Sequence, residues 1–298
     1  MAHDSDSLQP LIIGSGPSGV AVASVLIDAG FRPIILDGGA TADDQAMQAQ
    51  RAARSYSGSQ HEQEVQEDTS GSPGQKSWFG SSSAYEQAGL SPLRYQPGLL
   101  ARASYGVGGF SRVWGGTFAF KRDWREWPTG AIPSDGDIDS VRQLVPASET
   151  TWDETLLGTS GYVLGSPTSR LLMDRFTAAR SETAWNVEPS VVAINSQVGS
   201  AERCQSDGGC LRGCPFNSIW CASDQVQRWQ LAGLIDYRPG TIARRIREGA
   251  DVTVHAQGTD GQWLEVQCRR AYIAAGPIST AAILIQSGAM QAVTIRDT

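Results

Sequence analysis

Residues 11–37, LIIGSGPSGVAVASVLIDAGFRPIILD, constrain the fold more than any other stretch. An apolar run, Leu11 to Ile13, is followed by Gly14, Gly16 and Gly19 in the spacing G-x-G-x-x-G. Pro17 and Ser18 fall in the first turn of a helix whose apolar body is Val20 to Ile27, and Gly30 ends it. Proline suits that first turn because its missing N–H costs nothing there. Pro33 to Leu36 then read as a second strand closing on Asp37, with Gly38 and Gly39 behind it. This is the β–turn–α–β unit of a parallel α/β sheet. In such a unit the first glycine permits the tight turn, and the second lets a pyrophosphate approach the backbone. The third lets helix and strand pack closely, while the free N–H groups of the helix N-terminus face the phosphate. An acid at the end of the second strand accepts hydrogen bonds from a ribose 2′-hydroxyl and repels a 2′-phosphate. The unit therefore predicts a dinucleotide site on Gly14, Gly16, Pro17, Ser18, Gly19, Asp37, Gly38 and Gly39. It does not by itself separate NAD from FAD.

The rest of the composition narrows the class. Among 298 residues 40% are hydrophobic and 18% charged, with a net charge of −7. A sizeable core is affordable, and a chain so charged repels nucleic-acid backbones, so no nucleic-acid role is expected. Its 33 glycines exceed the usual ~7% and fit loops running close to a ligand. No apolar run approaches the roughly 20 residues of a membrane helix. The start, MAHDSDSLQP, lacks the basic and apolar regions of a secretory signal, so a cytoplasmic location is expected.

Residues 40–75 are polar and read as an exposed excursion or lid. YGVGGFSRVWGGTFAFKRDWREWP, residues 105–128, sets Gly106, Gly108, Gly109, Gly115 and Gly116 around Arg112, Val113 and Trp114. Such a stretch suits backbone lying against a flat ligand, or an ordinary glycine-rich loop around a core tryptophan. Arg112 reads equally as a group that neutralises phosphate or flavin and as a surface arginine. SRLLMDRFTAARSETAW, residues 169–185, carries Leu171, Leu172, Phe176 and Ala179 at helical spacing, which predicts an amphipathic helix with these residues in the core. After residue 237 short β runs follow one another, and AYIAAGPISTAAILIQSG, residues 271–288, reads as a strand, a Gly-Pro turn and an apolar helix returning to the nucleotide sheet.

Together the dinucleotide motif with Asp37, GVGGFSRVWGG, DWREWP and AAGPISTAAILIQSG resemble the amino-terminal half of a glucose–methanol–choline (GMC) type FAD-dependent oxidoreductase. FGSSSAY, SRVWGG and CLRGCP are most similar to GMC-related proteins encoded with bacterial polysaccharide pathways. The resemblance implies an α/β fold: a Rossmann-like FAD-binding domain of the GMC and glutathione-reductase type, with a β excursion and an incomplete substrate domain. The FAD-binding domain would be discontinuous, 1–120 and 165–298, with a partial substrate-side segment at 121–164. The resemblance adds Gly108, Gly109, Arg112, Val113, Trp114, Gly115 and Gly116 along the flavin, and Ala275 and Gly276 where the returning strand closes the FAD site. The implied activity is oxidation of a CH–OH group of a sugar, polyol or other alcohol.

One more stretch asks for chemistry. CQSDGGCLRGCP, residues 204–215, matches the ferredoxin spacing C-x2-C-x2-C-x3-C-P, with Asp207 in place of the second cysteine. Cys204, Cys210 and Cys214, with or without Asp207, could hold a [3Fe–4S] or a labile [4Fe–4S] cluster, as in cluster-bearing GMC-type dehydrogenases that pass electrons from flavin to an acceptor. Zinc held by the three thiolates with Asp207 or Cys221, a remnant motif that binds no metal, and ordinary loop and core cysteines are the other readings. Cys221 and Cys268 read as buried residues.

In the family a carboxyl-terminal histidine takes the hydroxyl proton. This chain has only His3, His61 and His255, none placed for that work. A fragment, one half of a split enzyme completed by a complementary chain, and a shortened flavin-binding protein all fit, and an NAD-dependent dehydrogenase is the remaining rival.

Overall fold

A computed structural model describes residues 8–39, 103–112, 114–117, 129–156, 159–179, 188–206, 214 and 216–293. The excursion at 40–75, FGSSSAY, DWREWP, Val113, Asp207, Cys210, His3 and His61 lie outside the described residues. In chain order the elements are β1 (Leu11–Ile13), α1 (Pro17–Asp28), β2 (Ile34–Leu36), α2 (Asp135–Leu144), β3 (Ser148–Thr151), β4 (Tyr162–Leu164), α3 (Pro167–Ala178) and β5 (Val191–Val192). Then come α4 (Ala222–Leu231), β6 (Asp236–Arg238), β7 (Thr241–Arg247), β8 (Val252–Gly258), β9 (Trp263–Cys268), β10 (Ala271–Ile273) and α5 (Gly276–Gln286). Short 3-10 turns lie at Gly109–Arg112 and Thr129–Ala131. The chain forms two compact units, Met1–Val113 with Cys221–Thr298, and Trp114–Trp220.

The first unit is a mixed α/β structure around a parallel sheet of order β10–β1–β2–β6. β1 and β2 are apolar at every position and buried at every position, as strands covered on both faces must be. Leu11, Ile13, Ile34 and Leu36 share one core cluster with Ala243, Val254, Ala256, Val266, Cys268 and Ile283. One face of the sheet is thus covered by the antiparallel meander β7–β8–β9 and by α5. Ile12 points the other way, towards α1, where a Cβ on Gly19 would lie 3.6 Å from its Cγ2. The expected return of the chain is observed: β10 pairs with β1 from Leu11–Ala271 to Ile13–Ile273, and α5 begins directly beyond it. The expected β excursion is the meander, with a bulge between Ala243 and Arg245. Cys268 is fully buried in it, and Cys221 is buried at the cap of α4.

The second unit holds a small sheet in which β3 pairs parallel with β4 and antiparallel with β5. Val163, Val192 and Ile194 form its core, with Cys204 and Ile219 packed against them. A capping box between Ser134 and Asp137 starts α2. The helix expected at 169–185 is α3, starting earlier because Ser166 caps it and Pro167 fills its first turn. One expectation fails here. Leu171, Leu172 and Phe176 are exposed at 52%, 51% and 46%, and no residue of α3 is buried. Periodicity reports that a helix has an apolar side, not that anything covers it.

Candidate functional site

The β1–α1 turn, the end of β2, residues 103–110, the start of β7 and the start of α5 surround an open crevice in the first unit. Gly14, Gly16, Pro17, Ser18, Asp37, Gly38, Gly109, Ala275 and Gly276 all line it. The structure therefore brings most of the expected residues of the first unit to one place. Gly19, Gly39, Gly108 and Arg112 do not line it. Trp114, Gly115 and Gly116 fold with the second unit, where the Trp114 indole donates to the Trp220 carbonyl at 2.9 Å and Gly116 accepts from the Ala193 amide.

The turn itself explains its glycines. Gly14 has φ +102°, and a side chain there would also meet the Ala274 carbonyl oxygen at 2.5 Å. A Cβ on Gly19 would collide with the Gly14 carbonyl, so this glycine sets the approach of α1 to β1. Gly16 differs from both: its φ is −67°, and the nearest atom to an added Cβ is the Gly108 oxygen at 4.0 Å. Among the described residues nothing comes close enough to require glycine at 16. Among them no side chain caps α1. α5 also starts at this crevice without a side-chain cap.

Asp37 is 6% exposed. Its Oδ2 accepts from the Ser15 amide at 2.8 Å and its Oδ1 from the Gly39 amide at 2.6 Å. Each carboxylate oxygen has a second lone pair to offer. Burial pushes the carboxyl above its usual range, against the pull of the Ser15 hydroxyl, the Gly39 and Ser15 amides and the positive charge of Arg112. Arg112 is not a surface arginine. It is 8% exposed, and its guanidinium donates to the Val107 carbonyl at 3.4 Å.

Some lining residues were not expected. Ser15 was an unconstrained position of the motif, and its only signal is a hydroxyl caught between two glycines at the end of a buried strand. Tyr105, Thr241 and Arg244 also line the crevice, and nothing in their local sequence marks them. His255 lies in β8, buried, with Nδ1 2.9 Å from Glu265 Oε1 and Nε2 without a hydrogen-bond partner among the described residues. It does not line the crevice, and no histidine does among the described residues.

Of the cysteine motif, Cys204 and Cys214 are described, both free and half-buried. The Ser206 amide donates to Cys204 Sγ and the Ser218 amide to Cys214 Sγ, each at 3.4 Å. Among the described residues no group of three metal-ligating side chains assembles. No helix among them is long and apolar enough to cross a membrane.

No family model matches the chain, and no curated protein matches it. Solved structures similar to it include formate oxidase from Aspergillus oryzae RIB40, at 12% identity and a TM-score of 0.48, covering 94% of this chain and 47% of that one. A flavoprotein/dehydrogenase from Cytophaga hutchinsonii is 12% identical with a TM-score of 0.32, covering 90% and 39%. AlpK is 15% identical with a TM-score of 0.31, covering 95% and 33%. The chain thus spans between a third and a half of the length of these structures.

Proposed function

We propose that the crevice of the first unit binds the adenosine diphosphate portion of FAD, and that the chain is an FAD-dependent oxidoreductase, or half of one. The observation that carries this is Gly16. It is a glycine that the fold itself does not need, between an uncapped helix N-terminus and a buried acid. That combination is the chemistry a nucleotide diphosphate and ribose require. In this reading the amides opening α1 take the diphosphate, and Asp37 takes the ribose hydroxyls and rejects a 2′-phosphate. Gly106, Gly109, Phe110, Ala275 and Gly276 complete the wall. Bound FAD would supply the two-electron acceptor for hydride from a CH–OH carbon of a sugar, polyol or other alcohol. The resemblance to the GMC family in GVGGFSRVWGG and AAGPISTAAILIQSG favours FAD over NAD.

A second reading is that the chain binds flavin without turning over by itself and needs a complementary chain. The location of His255 in the meander, with its Nδ1 beside Glu265, favours it, since no described histidine is at the crevice to take a hydroxyl proton. The cysteines extend the first reading. Cys204, Cys210 and Cys214, with Asp207, would carry electrons to an acceptor through a [3Fe–4S] or [4Fe–4S] cluster. The amide donors on Cys204 and Cys214 support a thiolate role, because N–H groups aimed at sulfur stabilise its charge.

A visible spectrum and metal analysis of anaerobically purified protein test these readings together. Flavin bands that NAD does not displace support FAD, and stoichiometric iron supports the cluster. Zinc would refute the cluster, and protein that neither retains nor takes up FAD would refute the main reading. Flavin reduced by a sugar panel only after a second chain is added would establish the two-chain form.

A further inference from the structure

Ser15 stands where the glycine motif places no demand, yet it is 1% exposed and fully engaged. Its amide donates to Asp37 Oδ2 at 2.8 Å. Its hydroxyl oxygen accepts from the Gly108 amide at 2.8 Å. The carbonyl of Gly108 is held as well. Ser111 Oγ donates to the Gly108 carbonyl at 2.6 Å and accepts from the Ala222 amide at 3.0 Å, at the start of α4. The loop backbone lies over the turn: a Cβ on Gly109 would be 3.5 Å from Gly16 Cα. Two serines, 96 positions apart, thus hold the N–H and the C=O of one glycine between the glycine turn and a helix start.

We infer that Ser15 is a positioning residue, clasping the glycine loop 106–112 onto the β1–α1 turn and orienting the Asp37 carboxylate for the ligand. The inference rests on the nucleotide reading of the crevice. One residue joins the loop, through its hydroxyl, to the acid that would receive the ribose, through its amide. Arg112 is the charged group that also acts on Asp37, and it comes from the same loop.

Replacing Ser15 by alanine keeps its amide bond to Asp37 and removes the bond its hydroxyl accepts from the Gly108 amide. In ligand-free protein, residue-resolved hydrogen exchange should show the Gly108 amide opening about tenfold faster in Ser15→Ala, with the Ile12 and Ile35 amides unchanged. ADP should bind about tenfold more weakly. A change that was merely structural would speed exchange at Ile12 and Ile35 as well. Ser15→Cys, with a weak donor and acceptor, should fall between serine and alanine in both readouts. Equal Gly108 exchange in wild type and Ser15→Ala overturns the clasp, whether or not ADP binds. Normal ADP affinity in Ser15→Ala overturns the positioning role. Failure of the wild-type protein to bind ADP, with Gly108 protected by Ser15, overturns the nucleotide reading and the positioning role with it.

Discussion

Alanine at Gly16 and alanine at Gly19 should damage different things. At Gly19 the new Cβ would lie 3.0 Å from the Gly14 carbonyl carbon and nearer still to its oxygen, both backbone atoms that cannot rotate away. α1 would have to lift from β1, opening the packing of Val20, Ala23 and Leu26. Overpacking of that kind costs about 1–3 kcal/mol and more against backbone. Helix propensity returns only about 1 kcal/mol. At the upper end of that cost a net loss of about 2 kcal/mol remains, which should lower Tm by roughly 4–8 °C for a unit of this size. At Gly16 the Cβ meets nothing within 4.0 Å short of the Gly108 oxygen, and φ is already in a region any residue adopts. The stability cost there is the weaker N-cap, about 0.5–1 kcal/mol. In the proposed site the Cβ would instead occupy the space a diphosphate needs. Losing one or two charge-assisted amide bonds, about 3 kcal/mol, should weaken ADP or FAD binding roughly 100-fold. Thermal unfolding and calorimetric titration of both variants provide the assay. Gly19→Ala melting with wild type, or Gly16→Ala binding nucleotide normally, would refute the reasoning.

Three further outcomes follow from the same geometry. Burial, and then the negative charge of Asp251, push the Cys268 thiol up to about 11 from 9.0, so its stabilising contribution is complete below pH 9 and lost between pH 9 and about 11; unfolding measured across that range should show a falling limb that Cys268→Ala flattens. Because burial raises the Asp37 carboxyl, ligand-free protein is favoured by its protonated form, whereas ribose recognition wants the carboxylate; ADP affinity should fall on acidification at a pH above the ordinary aspartate value of 3.8, and Asp37→Ala should abolish that pH dependence while weakening binding. Changing Leu171, Leu172 and Phe176 to glutamine should each alter stability by about 0.5 kcal/mol or less, since all three are exposed, and losses of several kcal/mol would show that the face is covered.

The parts of the fold that could be read in advance are those dictated by neighbours in sequence. Gly14, Gly16 and Gly19 follow a three-residue apolar strand at the opening of an apolar helix, and Gly14 and Gly19 have a steric reason within that short range. The β runs after residue 237 were legible because each is bounded by its own turn. What could not be read depends on distant backbone. The burial of Arg112 follows from a loop folded between the turn and α4. The role of Ser15 depends on Gly108, 93 positions away, and no local periodicity encodes that meeting. The exposed face of α3 fails for the opposite reason: its pattern is correct, but the partner that would make it core is not in the pattern.

The most direct measurement is the structure of the protein determined with FAD at saturating concentration. The account predicts the diphosphate against the Gly14–Gly19 turn and the adenosine ribose at Asp37. FAD bound elsewhere, or a crevice still filled only by water at full saturation, would contradict it.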